Sequence, residues 1–344
     1  MLKQTNSSEQ ILSVENLKVH FPITGGLIKK TLGHVRAVDE VSFGLAAGET
    51  LSLVGESGCG KTTAGRALMR LVKPTGGIVD YVMRDNSRID IPKASNDELD
   101  LVRQEMQIIF QDPFASLNPR MTIFDIVADP LRVNGLASGS ELEDRVAEMM
   151  RVVGLSTSYM QRYPHAFSGG QRQRLGIART LVMNPRMIIA DEPVSALDVS
   201  VQAQILNLMQ DLQEQLNLTY LFISHDLSVV QYISHRVAVM YVGKIVEIAS
   251  TETIFTAPKH PYTQALLSSV PVPNPQVKSR GKVLDGEVAD PAKPPSGCYF
   301  HPRCEFAKDI CRTQEPPMVE ISGSSGQFSK CHFAQEINLP GVPA

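Results

Sequence analysis

Nine consecutive residues constrain this chain more than any others: Gly55-Glu56-Ser57-Gly58-Cys59-Gly60-Lys61-Thr62-Thr63. They follow the apolar run Leu51-Ser52-Leu53-Val54 and lead into the helix-compatible Ala64-Gly65-Arg66-Ala67-Leu68-Met69. Strand, glycine-rich turn, Lys-Thr and helix, in that order, form a loop whose backbone amides point inward at a helix N-terminus. Gly55, Gly58 and Gly60 allow the backbone to approach a polyphosphate closely. Lys61 is placed to reach the terminal phosphates, and the Thr62 hydroxyl to sit on Mg²⁺. A buried strand feeding such a turn requires an α/β core, so the fold must be built around a mostly parallel sheet.

A second landmark lies downstream. Phe167-Ser168-Gly169-Gly170-Gln171-Arg172-Gln173-Arg174 precedes Ile177-Ala178-Arg179-Thr180-Leu181, so a Ser-Gly-Gly turn opens another helix. The run Met187-Ile188-Ile189-Ala190-Asp191-Glu192 then reads as a buried strand ending in two carboxylates. Acidic groups at a buried strand end are costly without a cation or hydrogen-bond donors. That placement suits a partner for Mg²⁺ and a general base.

Phosphate loop, Ser-Gly-Gly-Gln and Asp-Glu in this order resemble the ATPase subunit of an ABC transporter. The resemblance implies an ABC-type P-loop NTPase with a RecA-like core, an N-terminal antiparallel β subdomain and a helical signature subdomain. It also assigns roles to further residues. Gln111, in Ile108-Ile109-Phe110-Gln111-Asp112-Pro113, matches the Q-loop glutamine that joins Mg²⁺ and the attacking water to the membrane-domain contact. Ser195-Ala196-Leu197-Asp198 matches the D-loop, and His225, in Phe222-Ile223-Ser224-His225-Asp226, the switch histidine that contacts the γ-phosphate. Phe21, in Leu17-Lys18-Val19-His20-Phe21, is the candidate for stacking on adenine, the alternative being an aromatic packed under the sheet. In the family the segment Ser168-Gly169-Gly170-Gln171 covers the ATP of a facing subunit, so two ATP molecules close a head-to-tail pair. Asp191 then joins Thr62 and Gln111 around Mg²⁺, and Glu192 polarises the attacking water.

Charge and hydropathy fit this class. The 33 basic and 36 acidic residues give a net charge of −3, with no long basic run, which argues against an electrostatic nucleic-acid binder. No apolar run reaches the roughly 18 residues needed to span a bilayer. The first ten residues lack the apolar centre of a signal peptide. The expectation is a peripheral protein on the cytoplasmic face of the inner membrane, held there by partners.

The pattern along the chain suggests an ATPase domain over 11–255, with a helical subdomain at about 97–184, and flexible ends at 1–10 and 336–344. Residues of about 11–85 suit a small antiparallel sheet leading into the first core strand. Leu142, Val146, Met149 and Met150 fall on one helix face. Arg236 to Glu247 reads as a hairpin turning at Gly243-Lys244. From Thr256 prolines crowd in, so a regular helical extension is excluded. The extension, 256–335, also holds Cys298, Cys304, Cys311 and Cys331 in the spacing C-x5-C-x6-C-x19-C. With no secretion signal, clustered cysteines favour metal over disulfides, although no short zinc-ribbon spacing is present. A proline-rich tail with little apolar periodicity needs a staple, so the four thiols are expected to converge.

The stretch from His260-Pro261-Tyr262-Thr263 to Val270-Pro271, followed by Gly297-Cys298-Tyr299-Phe300-His301-Pro302-Arg303-Cys304, resembles the C-terminal extension of oligopeptide and dipeptide permease ATPases. The segment 110–122 is similar to the same branch, with Phe114 and Leu117 read as exposed contacts for a permease helix. The resemblance implies peptide import by two such ATPases under two transmembrane permease subunits, fed by an extracytoplasmic peptide-binding protein. It also implies a 4Fe-4S cluster on the four cysteines, with zinc or free thiols as the alternatives. Nickel or glutathione as cargo is an alternative within the class. A DNA-acting ABC ATPase is an alternative outside it, opposed by the charge and by the short interval from Lys61 to Ser168.

Overall fold

The computed structural model describes residues 9–25, 30–112, 116–268 and 286–342. The chain opens with a long antiparallel pair, β1 (Gln10–Gly25) and β2 (Lys30–Ala46), before the buried β3 (Thr50–Val54) and α1 (Lys61–Leu68). After β4 (Gly76–Val82), β5 (Arg88–Asp90), α2 (Asn96–Glu105) and β6 (Met106–Ile109) come three helices, α3 (Ile123–Val133), α4 (Gly139–Val152) and α5 (Gly169–Leu181). Strand–helix alternation then resumes with β7 (Met187–Asp191), α6 (Val199–Leu216), β8 (Thr219–Ser224), α7 (Leu227–Ile233), β9 (Arg236–Tyr241) and β10 (Lys244–Ser250). After α8 (Thr251–Thr256) the extension adds α9 (Pro261–Leu267), α10 (Asp309–Thr313), β11 (Val319–Glu320) and β12 (Phe328–Ser329).

Two sheets result. The first is antiparallel, in the order β2-β1-β4-β5, and the second runs β11-β12-β10-β9-β3-β8-β7-β6. Strands β9, β3, β8, β7 and β6 are mutually parallel, and β3 and β7 are buried at every position. That is the near-continuous apolar strand expected where helices cover both faces. One core cluster joins the antiparallel sheet to α1 and the second sheet through Leu17, Val38, Ala64, Leu68, Ile189 and Ile223. A second packs α3, α4, α5 and α6 on the other side through Ile126, Val146, Leu175, Ile205 and Phe222. Met150, Val146 and Leu142 are buried on α4, with Met149 packed at the margin.

Several local readings shift. The β9–β10 turn sits at Val242-Gly243, both with positive φ (40° and 78°), one residue before Gly243-Lys244. Two such residues are what a tight antiparallel turn requires. Within 97–184 the chain contributes β6 to the parallel sheet before the helical layer begins. Of the ends, 1–8, 343 and 344 lie outside the described residues, while Leu339 is buried and Val342 donates its N–H to the Phe255 carbonyl at 2.8 Å. The end of this segment is therefore held against α8, because the Val342 backbone donor finds the Phe255 carbonyl and its side chain packs on the core that includes Phe255. Leu117 is buried in the helical-layer core rather than exposed, since β6 brings its segment back over apolar residues. Phe114, Pro113 and Ala115 lie outside the described residues, as do Val270 and Pro271.

The extension is built into the body. Its β11–β12 pair lengthens the parallel sheet past β10, so the β10 edge is covered. At that seam Glu247 of β10 is wholly buried and accepts from the Lys259 amide (2.6 Å), the His260 amide (2.9 Å) and Gln327 Nε2 (3.0 Å). Burial pushes its carboxyl upward, and these donated hydrogen bonds oppose the shift. Burial also holds neighbouring His260 neutral, its pKa lowered to about 3, with Nδ1 accepting from the Tyr262 amide at 3.1 Å. Replacing Glu247 by Ala takes the shared acceptor from three donors at once, two of them in fully buried bonds. The expected loss of unfolding free energy is on the order of 3 kcal/mol, read from urea denaturation. A loss under about 1 kcal/mol would show that the seam is held by other contacts.

Candidate functional site

The phosphate loop lies between β3 and α1, wedged between the two sheets. A Cβ on Gly55 (φ 154°) would fall 2.1 Å from the Met240 carbonyl oxygen, and one on Gly60 (φ 107°) 2.0 Å from that of Ala37. Only glycine fits either position. A Cβ on Gly58 (φ 80°) would meet open space. Lys61 is buried, and its Nζ donates to the carbonyls of Gly55 (2.8 Å) and Glu56 (3.0 Å). Cys59 is also buried, and burial raises its thiol pKa. Ser57, Thr62 and Thr63 complete the turn and the first residues of α1.

Asp191 closes the floor. The Thr62 hydroxyl donates to its Oδ1 at 2.8 Å, while its buried Oδ2 has no hydrogen-bond partner. Burial raises the pKa of this carboxyl, and the Thr62 bond offsets part of the shift. A buried oxygen without a donor, beside a hydroxyl and a lysine, is a fitting hard ligand for Mg²⁺. Glu192 follows in a left-handed conformation (φ 48°), its N–H donating to the Ile223 carbonyl at 2.9 Å. Gln111 Nε2 donates to Glu192 Oε2 at 2.9 Å, and His225 Nδ1 lies 3.0 Å from Oε1. Three residues spread over 115 positions thus meet at one carboxylate, from the ends of β6, β7 and β8. Ligand sites at the carboxyl ends of parallel strands are the general rule for such sheets.

The signature segment occupies another face. Ser168 caps α5 by accepting from the Gln171 amide at 3.4 Å, and the Gln171 side chain accepts from the Ser168 amide at 3.1 Å. This reciprocal pair leaves the helix N-terminus presented to solvent. The D-loop packs beneath it: a Cβ on Gly169 would meet Leu197 at 3.2 Å, and one on Gly170 would meet Val201 at 2.4 Å. Asp198 caps α6, accepting from the Val201 amide at 3.0 Å, and the Ser195 hydroxyl donates to the Glu192 carbonyl at 3.1 Å. Ala196 lies between them, and α5 packs on α3, α4, α6 and β6. Phe21 is 41% exposed on β1, paired with Val35 across the hairpin and two residues along β2 from Ala37. It stands free of the core instead of under the sheet.

Cys298, Cys304, Cys311 and Cys331 line one small cavity, together with His301, His332 and Phe306. Burial raises the Cys298 thiol to about 11 and the Cys304 thiol to about 12, and the neighbouring thiols add to both shifts. Among the described residues no group of three or more His, Cys, Asp or Glu is arranged to hold a single metal ion. Contacts between the extension and the phosphate loop were not legible in the motifs. Arg303 grips the Glu56 carboxylate with two bonds (2.8 and 3.1 Å), and the Glu56 amide donates to Tyr262 Oη at 2.9 Å. The only sequence signal for them is that Tyr262 and Arg303 lie inside the two extension motifs.

A phosphate loop, an acidic strand end and a detached Ser-Gly-Gly helix on one α/β scaffold define a nucleotide-hydrolysing cassette. Residues 38–195 match the ABC transporter family, and residues 246–311 match the oligopeptide/dipeptide transporter C-terminal region. The chain is 53% identical to the oligopeptide transport ATP-binding protein AppF of Bacillus subtilis (strain 168), over 95% of this chain and 98% of that protein. It is 50% identical to a probable peptide ABC transporter ATP-binding protein, y4tS, of Sinorhizobium fredii, over 94% and 90%. Its fold is similar to a dimeric post-hydrolysis structure of the ATP-binding cassette MJ0796 bound to ADP and Pi (TM-score 0.59, 29% identity, 70% of this chain and 99% of that one). It is also similar to cbiO1 from Clostridium perfringens (TM-score 0.60, 27% identity, 72% and 91%). The chain belongs to the ATP-binding subunits of ABC transporters, in the branch that carries the oligopeptide/dipeptide C-terminal region, and is an ATPase coupled to transport. No helix among the described residues is long and apolar enough to cross a membrane.

Proposed function

We propose that this ATPase energises the import of oligo- or dipeptides. The observation that carries the reading is the extension: it is the matched oligopeptide/dipeptide transporter region, and it is fused to the catalytic sheet. The partners in this reading are a second ABC ATPase, itself or a paralogue, and two transmembrane permease subunits. An extracytoplasmic peptide-binding protein delivers cargo, and nucleic acid plays no part. The chain works as a peripheral subunit on the cytoplasmic side. Dimeric cassettes among the related structures support the paired arrangement.

The proposed roles follow from the geometry. Amides of 55–63 cradle the phosphates, and Lys61 moves from the Gly55 and Glu56 carbonyls onto the terminal phosphates. Thr62, Asp191 and Gln111 would hold Mg²⁺, which neutralises phosphate charge when bound. Glu192 accepts the proton of the attacking water, oriented between Gln111 and His225. Phe21 stacks on adenine. Ser168 to Gln171 present the α5 N-terminus to the ATP of the facing subunit, with Ser195 to Asp198 at the dimer seam. Glu192→Gln should lower turnover by at least about 100-fold while ATP binding persists, and Lys61→Ala should weaken binding itself. Turnover within about twofold of wild type in Glu192→Gln would remove that residue from the role.

Transport is tested in cells lacking the gene. Uptake of a radiolabelled di- or oligopeptide should return with the wild-type chain and not with Glu192→Gln. Unimpaired peptide uptake in the deletion strain, with uptake of nickel or glutathione lost, would reassign the cargo.

The finer cofactor reading is a 4Fe-4S cluster on Cys298, Cys304, Cys311 and Cys331. Its support is the donor set: four thiols line one cavity, and a cubane holds its thiolates farther apart than a single ion does. When bound, the cluster would staple a unit with little core of its own. Anaerobically purified protein should be brown, with iron and acid-labile sulfide in nearly equal amounts. Zinc without colour would support the alternative metal. Neither metal, with all four thiols open to a labelling reagent, would dispose of the site.

A further inference from the structure

We propose that Arg303 and Tyr262 are positioning residues for ATP binding, through which the C-terminal extension sets the shape of the phosphate loop. Glu56 is the first variable residue of that loop, and each of its polar groups is engaged. Its carboxylate takes both prongs of Arg303, its amide donates to Tyr262 Oη, and its carbonyl accepts from Lys61 Nζ. Two of these three holds come from the extension and the third from the lysine that must reach the phosphates. The carbonyl on which Lys61 rests is thus fixed on either side by residues about 200 or more positions away.

The grip is built, not incidental. Tyr262 is fully buried, its ring centroid 4.6 Å from Tyr241 and 5.4 Å from Phe300. Only 5% of the Arg303 side chain is exposed, and its guanidinium carbon lies 6.0 Å from the ring centroids of Tyr241 and Phe300. A two-pronged guanidinium–carboxylate bond, part-buried as this one is, fixes orientation as well as charge. Arg303 directly precedes Cys304 on the turn His301–Arg303, so the fold of the cysteine unit delivers the prongs. Without them the Glu56 stretch of the loop must be ordered by the nucleotide itself, and affinity falls while the chemistry at Glu192 is unaltered.

The inference rests on the phosphate-loop assignment, which ATP binding by wild type and its loss in Lys61→Ala test separately. Binding of a fluorescent ATP analogue to the full-length chain is titrated, and ATPase KM and kcat are read in parallel. Arg303→Gln and Glu56→Gln should each raise Kd and KM about tenfold, with kcat at saturating ATP within about twofold. The double variant should be no weaker than either single one, because both remove the same bond. Tyr262→Phe, which keeps the ring, should raise Kd by about threefold, and Arg303→Lys should fall between wild type and Arg303→Gln. Lys308→Gln, which removes a cation–π contact inside the extension (4.1 Å to the Phe333 ring), should leave Kd unchanged. Wild-type Kd in Arg303→Gln, or multiplied losses in the double variant, would overturn the proposal. Should Arg303→Gln fail to fold, wild-type Kd in both Arg303→Lys and Tyr262→Phe would do the same.

Discussion

The phosphate loop must hold its amides inward with backbone on both flanks, and everything else in the structure is arranged around that requirement. Met240 of the parallel sheet and Ala37 of the antiparallel sheet press their carbonyls where Cβ atoms of Gly55 and Gly60 would stand. The loop is therefore shaped by two sheets meeting. Each sheet needs its own core face, and Val38, Leu53 and Met240 belong to one shared cluster. A loop of positive-φ glycines has little intrinsic order, since glycine loses more conformational freedom on folding than any other residue. Its rigidity is borrowed from the strands around it.

The same sheet solves the problem of the acidic pair. Asp191 sits where desolvation disfavours its charge, with Thr62 as partner to one oxygen and none for the other. Glu192, one residue on, leaves the strand direction through a left-handed turn and reaches a partly open position between Gln111 and His225. Adjacent carboxylates acquire different environments from a single backbone turn. In the proposed roles one serves a cation and the other a proton.

The extension is not an appendage in the mechanical sense. Two of its strands complete the edge of the catalytic sheet, and Glu247 of the body gathers three of its donors into a buried site. Its aromatic residues join a core that includes Val54, the last residue before the phosphate loop. The four cysteines border this junction: Cys298 and Cys304 pack against that core, and the cavity the four line is also lined by His260 and Phe300. Whatever orders the cysteine unit also orders the turn carrying Arg303, because Cys298 and Cys304 bracket it.

The sequence by itself determined the chemistry-bearing local motifs: the loop 55–63, the strand end Asp191-Glu192 and the capped turn at Ser168. Each is written in residues close together along the chain, where glycine conformation, strand burial and helix capping act over a few positions. It also fixed the antiparallel lead, the parallel core and the α4 face, because apolar periodicity is local. Tertiary structure alone decided that Gln111 and His225 share the Glu192 carboxylate, that Leu117 turns inward, and that Val342 is held against α8. It alone decided that Arg303 and Tyr262 reach Glu56 across more than two hundred residues. Such contacts leave no periodic trace, since a bond between distant side chains depends on how whole sheets pack and not on spacing along the chain.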